Sequence, residues 1–235
     1  MLKLKTAKAK IGDFEFHFNV SFAANQIHAI VGKSGEGKST LLNFIAGFEP
    51  LNNGTISWDE QVISGQDPHQ RPITSLFQEH NLFAHLTVFK NIALGLNPGL
   101  KLTKAQLNLV EMSIDNVGLR GKANRLPKQL SGGEAQRVAL ARALARARDE
   151  LNPRPILLLD EPFSALDPET RLDMRNLIAD IAKKYRLTVL IVSHNPTEML
   201  AFADSVSLVV NGQILQQHNI LDGKLPPKLD EFINI

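Results

Sequence analysis

The feature that most restricts the fold is an eight-residue stretch, Gly32-Lys33-Ser34-Gly35-Glu36-Gly37-Lys38-Ser39, set between two apolar runs of different character. Before it, Ile27 to Val31 is short and partly β-branched, as a buried strand is; after it, Leu41, Leu42, Phe44 and Ile45 recur at helical spacing. A chain that leaves a strand, turns on glycines and enters a helix presents successive backbone N–H groups at the helix's positive end, which suits an anion. The spacing G-x-x-x-x-G-K-[ST] specifies the phosphates of a nucleotide, with Lys38 opposite the β- and γ-phosphates and Ser39 beside the accompanying metal. Gly32 to Ser39, with Thr40 behind them, are therefore the expected binding residues.

Other short apolar runs extend the strand pattern: Ile156 to Leu159, Thr188 to Val192 and Val206 to Val210. Runs that are apolar at successive positions are buried on both faces, which points to a largely parallel sheet with crossover helices. One crossover is visible after Asp167-Pro168, where Met174, Leu177, Ile178, Ile181 and Tyr185 form a helical stripe that ends before Thr188. Asn211-Gly212 predicts a hairpin turn into Gln213 to Gln216. Residues 79–152 lack strand-like runs and carry Leu107, Val110 and Met112 and then a long Ala/Leu/Arg segment, so they read as a helical subdomain inserted in an α/β core of residues 1–78 and 153–220. At its C-terminal border, residues 145–154 read as a solvated helix face with an extended turn, or as arginines that meet acidic lipid headgroups.

The 235 residues suit one domain, and 43% hydrophobic with 21% charged residues is the balance of a globular protein. A formal charge of +2 gives no reason to expect a nucleic-acid partner. The absence of cysteine excludes a disulfide framework and thiolate metal sites. No run approaches the roughly 20 apolar residues that cross a bilayer, and the lysine-rich start differs from a secretory signal, so the expected location is the cytosol, with any membrane part supplied by another subunit.

Two further motifs carry chemistry. Ile156-Leu157-Leu158-Leu159 runs into Asp160-Glu161, and paired acids at a strand's end beside a phosphate loop suit two tasks: Asp160 holding the hydration shell of Mg²⁺, Glu161 orienting and polarising an attacking water. Leu130-Ser131-Gly132-Gly133-Glu134-Ala135-Gln136-Arg137 opens a helix whose Ser131 hydroxyl and free N–H groups at Gly132 and Gly133 can also face an anion.

L-S-G-G at this place, between the glycine loop and the paired acids, resembles the signature sequence of ABC ATPases. The resemblance covers about Ile27 to Gln216 and implies a P-loop NTPase core, mostly parallel with an antiparallel β part, an inserted helical subdomain, and hydrolysis of ATP with Mg²⁺. It implies a head-to-tail homodimer in which Ser131 and Gly133 of one copy complete the site built on Lys38 and Glu161 of the other. By the same resemblance Gln78 senses Mg²⁺ and the attacking water, Ser164 to Asp167 reaches across the dimer, and His194 contacts the γ-phosphate. The chain departs from the family's habit at Lys33 (commonly Pro), Glu36 (commonly small) and Glu134 (commonly Gln). Near Ile11, where the family carries an aromatic against adenine, no Tyr or Trp is present, and Phe14 and Phe16 fit a strand's buried face at least as well; the adenine contact stays open.

Phe77 to Val88, with Asn91-Ile92, looks like the corresponding part of importer ATPases, where Leu82, Phe83 and Leu86 would offer a groove to a short helix of a membrane permease subunit while also packing the helical subdomain. Leu41 to Phe48 and Gly95 to Leu102 are similar to the ATPase of bacterial thiamine importers. That resemblance implies a peripheral subunit on the cytoplasmic face of the inner membrane, working with permease subunits and, indirectly, a periplasmic solute-binding protein. An importer of another small solute, of polyamine, iron or sulfate type, is the alternative; an ABC ATPase acting on nucleic acid lacks the coiled coils or second ATPase unit expected of it.

Overall fold

A computed structural model describes residues 1–76, 82–150, 152–164 and 166–233. Its chain opens on a hairpin of β1 (Leu2–Ile11) and β2 (Phe14–Phe22), paired antiparallel from Leu2↔Phe22 to Ile11↔Phe14. Leu2 and Leu4 are buried and then Ala7 and Ala9, a change of parity caused by a register shift between Leu4 and Ala7 where Thr6 takes a φ of 44°. That bulge is why β1 shows no regular alternation in sequence.

β3 (Ile27–Val31) follows, buried at every position, and hands over to α1 (Lys38–Ala46). β4 (Asn53–Trp58), the two-residue β5 (Gln61–Val62) and β6 (Ile73–Leu76) complete the first part of the chain. The next described stretch, 82–150, contains no strand and holds α2 (Val88–Ala93), α3 (Lys104–Asn116) and α4 (Gly132–Ala147). Each begins on a capping hydroxyl, Thr87, Thr103 and Ser131, and the last two form reciprocal capping boxes with Gln106 and Glu134. α4 packs on α2 and α3 and also on β6, so the helices are seated on the sheet through it.

β7 (Ile156–Asp160), α5 (Pro168–Tyr185), β8 (Thr188–Val192), the short α6 (Pro196–Leu200), β9 (Ser205–Val210), β10 (Gln213–Asn219) and α7 (Pro227–Ile233) follow. The strands form one ten-stranded sheet in the order β5-β4-β1-β2-β10-β9-β3-β8-β7-β6. The run β9-β3-β8-β7-β6 is parallel, while β1, β2, β4 and β5 pair antiparallel, as do β9 and β10. The expected α/β class with an antiparallel part is observed. Asn211 and Gly212, at φ 47° and 71°, make the β9–β10 turn.

Alternation along the parallel strands divides the interior into two apolar layers. Leu157, Leu159, Val189 and Ile191 face α4 and α5, whereas Ile156, Leu158, Leu190 and Val192 face α1 and the aromatic side of β2. The tail joins the first layer through Leu229, which is fully buried.

The arginines near residue 150 do not form a solvated face. Arg154 is 3% exposed and donates through Nη1 to the carbonyls of Arg71 (2.6 Å) and Ile73 (3.0 Å) and through Nη2 to that of His69. Arg148 lies over the Tyr185 ring, 3.9 Å from its centroid. A guanidinium is buried when its forked donors meet otherwise unpaired carbonyls, and those carbonyls lie some 80 residues away, at 69, 71 and 73.

Candidate active site

The loop after β3 has the form the sequence predicts, for a steric reason. A Cβ on Gly32 would lie 2.4 Å from the carbonyl oxygen of Val209, and Gly35 and Gly37 take φ of 82° and 99°, where a side chain is strained. Gly37 is the N-cap of α1 and no side chain caps that end. The first-turn N–H groups of Lys38, Ser39 and Thr40 are therefore left to a ligand or solvent. Lys33, Ser34, Gly35 and Ser39 are exposed, Glu36 and Gly37 half-buried. Lys38 is 6% exposed and folds back so that Nζ donates to the carbonyls of Gly32 (2.9 Å) and Lys33 (2.8 Å). Burial lowers its pKa, and the nearby acids Glu161, Asp160 and Glu36 oppose that shift.

Asp160 ends β7, two strands from β3, and its side chain faces the loop, where Ser39 and Lys38 both act on it. Burial raises its pKa; the Ser39 hydroxyl opposes, Glu161 adds repulsion and Lys38 attraction. Its Oδ1 is buried without a partner among the described residues. An orphaned carboxylate oxygen beside a hydroxyl is an incomplete ligand set for a hard cation that keeps waters and takes further oxygens from phosphates. Among the described residues no three His, Asp or Glu side chains cluster to hold a metal by themselves. The residues present fit Mg²⁺ brought with a nucleotide.

Glu161 sits at φ 47°, an uncommon value for a side chain, and its N–H donates to Val192 at the end of β8 (3.1 Å). This turns its carboxylate toward His194, whose Nδ1 is 3.2 Å from Oε2. Lys38, Ser39, Asp160, Glu161 and His194 are thus brought to one place, while Gln78 lies outside the described residues. Two supports escaped the sequence. Arg171 pairs with Glu198 (3.0 Å) and donates to the Leu166 carbonyl (3.0 Å), tying the loop after Glu161 to the segment after His194. Glu36 accepts from the Asn211 N–H, tying the loop to the β9–β10 turn. No local pattern marks the first; an acid at a position the family keeps small marks the second.

Ser131, Gly132, Gly133 and Asp167 line a separate cleft of ≈ 650 Å³ with Lys122 and Thr170. Ser131 Oγ accepts from the Glu134 N–H (3.2 Å), and Glu134 returns the bond to the Ser131 N–H (3.1 Å) while pairing with Lys122. A Cβ on Gly133 would lie 2.9 Å from Thr170 Cγ2. Asp167 caps α5, and the Thr170 N–H it accepts lowers its pKa.

Phe16 and Phe14 have different surroundings. Phe16 is buried against Phe44 (centroids 5.6 Å) and beside Gly37, whereas Phe14 is 40% exposed and Ile11, opposite it in the β1–β2 turn, 41%. Of the three residues expected in an apolar groove, Phe83 lines one, a cleft of ≈ 480 Å³ shared with Phe48, Leu76, Leu94, Arg142 and Arg146. Leu82 packs on the core instead and Leu86 is half-buried.

A strand, a glycine loop and a helix enclosing a lysine, with a strand-end acid facing the loop's lysine and serine, define a P-loop nucleotide-binding protein. The chain belongs to the ABC transporter family, which matches residues 16–164. It is 46% identical to the thiamine import ATP-binding protein ThiQ of Histophilus somni, across 92% of this chain and 98% of that protein. It is 50% identical to ThiQ of Haemophilus influenzae strain Rd, across 85% and 90%. Among solved structures, the ATP-binding cassette MJ0796, a dimer in a post-hydrolysis state bound to ADP and Pi, is 28% identical with a TM-score of 0.78, covering 94% of this chain and 99% of that one. The cassette MJ1267 in its ADP conformation shares the fold with a TM-score of 0.85 at 24% identity, covering 99% and 97%.

Proposed function

We propose that this chain is the ATP-hydrolysing subunit of a bacterial importer for thiamine or thiamine phosphates, acting as a homodimer on the cytoplasmic face of the inner membrane. The observation that carries the hydrolytic part is the convergence of Lys38, Asp160 and Glu161, with His194 held on Glu161 at 3.2 Å. The loop N–H groups from Gly32 to Thr40 bind the phosphates, and Lys38 exchanges its two loop carbonyls for phosphate oxygens. Ser39 and Asp160, with Gln78, would hold Mg²⁺, which would supply neutralisation of the phosphate charge. Glu161 orients the attacking water and accepts its proton, and His194 keeps that carboxylate in place and reaches the γ-phosphate.

Ser131, Gly132, Gly133 and Asp167 act on the ATP of the second copy. Their seclusion in a cleft that excludes Lys38 and Glu161 supports this, because within one chain they have no common site. The α/β core and the helical part divide near 79 and 152, and the apolar groove between Phe48 and Phe83 receives a short helix of a permease subunit. A periplasmic solute-binding protein joins through the permease. The ThiQ names of relatives 46% and 50% identical support thiamine as cargo.

The test is uptake of labelled thiamine in cells lacking this chain, complemented with the wild type or with Lys38→Ala. Restoration by the wild type alone is expected. Equal uptake in all strains would remove thiamine and leave hydrolysis to be judged on the purified protein.

A further inference from the structure

Glu36 places an acid in the loop assigned to phosphate, where its charge opposes an anionic ligand. Its hydrogen bonds give it another use. The carboxylate Oε2 accepts from the backbone N–H of Asn211, and its own carbonyl accepts from the N–H of Gly212 at 3.0 Å. These two residues are the turn of the β9–β10 hairpin. The Gly212 carbonyl in turn accepts from the His17 N–H at 2.9 Å, and a Cβ on Gly212 would lie 2.6 Å from the Glu15 carbonyl oxygen. Gly37 closes the triangle, since a Cβ there would lie 2.7 Å from Phe16 Cε1 and 3.5 Å from Gly212 Cα.

We propose that Glu36 is a positioning residue that latches the phosphate loop to the β9–β10 hairpin and so holds the loop in its anion-binding shape before nucleotide arrives. This rests on the reading of that loop as the phosphate site. Three glycines make the loop costly to order, and a carboxylate accepting from an N–H is a stronger tether than a neutral pair. Ordering completed in the free protein is not charged against binding. The carboxylate also favours the charged form of Lys38, whose burial disfavours it.

Two substitutions separate the latch from the repulsion: Glu36→Gln removes the charge and keeps an acceptor, while Glu36→Ala removes both. Hydrogen exchange on the nucleotide-free full chain, followed by Mg-ATP titration and steady-state hydrolysis, reads the difference. Glu36→Ala is expected to speed amide exchange at Asn211 about tenfold and to bind ATP about tenfold more weakly than Glu36→Gln. Its loss should fall on KM more than on kcat, and Glu36→Gln, with a weaker neutral acceptor in place, should retain part of the protection that Glu36→Ala loses. Equal exchange or equal affinity in the two variants overturns the latch. Lys38→Ala serves as the reference: if it binds ATP like the wild type, the phosphate-loop reading itself fails, whereas weak binding by it together with matching Glu36 variants refutes the latch alone.

Discussion

His194 Nδ1 lies 3.2 Å from Glu161 Oε2, and neither side chain is near the other in sequence. The contact exists because β7 and β8 are parallel neighbours with Asp160 opposite Val192, so the residues just past each strand end are juxtaposed. An imidazole there restricts the carboxylate, whose backbone already occupies a costly left-handed conformation.

Glu161→Gln should therefore retain Mg-ATP binding and lower steady-state hydrolysis by about 10³-fold, since the amide cannot accept the water's proton. Size-exclusion chromatography with ATP should show this variant held as a dimer. His194→Ala should lower kcat with less effect on nucleotide affinity. Normal turnover by Glu161→Gln would sink the assignment.

Asp160 supplies a prediction of opposite sign in the free and bound protein. Its pKa is raised in the folded chain, chiefly by burial, so its stabilising share is complete below the ordinary carboxylate pKa and is lost as pH rises through the folded value. At neutral pH the buried charge is a standing cost to the nucleotide-free protein. Asp160→Asn should raise the Tm of that form by roughly 2–4 °C at neutral pH, a gain that narrows on acidification, while abolishing the extra stabilisation given by Mg-ATP. Scanning calorimetry with and without Mg-ATP measures both.

The parts of the fold evident in sequence are those written in local rules. The strand Ile27–Val31, its glycine loop, Asp167-Pro168 at the head of α5 and the Asn211-Gly212 turn all stand where spacing and turn chemistry place them. β1 was obscured by the bulge at Thr6, which shifts the buried face by one residue. Phe14 and Phe16 share a parity, yet only Phe16 has α1 above it, through Phe44, and that overlap depends on tertiary packing. The burial of Arg154 depends on carbonyls some 80 residues away, at 69, 71 and 73. Of the site residues named by motif, Lys38, Ser39, Asp160, Glu161 and His194 are brought together, while Ser131, Gly132, Gly133 and Asp167 line a cleft of their own. The brace of Arg171 on Glu198 leaves no mark in a short window, and that of Glu36 on Asn211 shows only as an acid in a loop position the family keeps small.

The loop's first glycine is limited by a neighbour from another strand. With the Val209 carbonyl oxygen 2.4 Å from the site of a Cβ, Gly32→Ala must push β3 and β9 apart or bend the loop. A loss of about 2–4 kcal/mol is expected, measurable by urea unfolding, with ATP affinity falling alongside. Gly35→Ala meets no atom within 4 Å and carries only the strain of its φ of 82°, so it should cost less. Equal destabilisation by the two would show that backbone strain, not the contact with Val209, selects glycine at 32.

His28 gives the clearest dependence on pH. It is 1% exposed at the start of β3, with Nε2 2.8 Å from the Ala23 carbonyl and Nδ1 2.6 Å from Ser205 Oγ. This is a neutral imidazole donating to the carbonyl and accepting from the hydroxyl. Burial lowers its pKa, against the Ala23 hydrogen bond and the charge of Asp204. The unfolded chain takes up this proton near 6.5, and the folded chain only at lower pH, so acidification in that window favours unfolding. Stability from this group is complete above the unfolded value and falls as pH drops toward the folded one. Between about pH 7.5 and about pH 5.5 the wild type should lose more Tm than His28→Gln, which has no proton to gain. Parallel Tm profiles for the two proteins would mean that the acid sensitivity of the fold lies elsewhere.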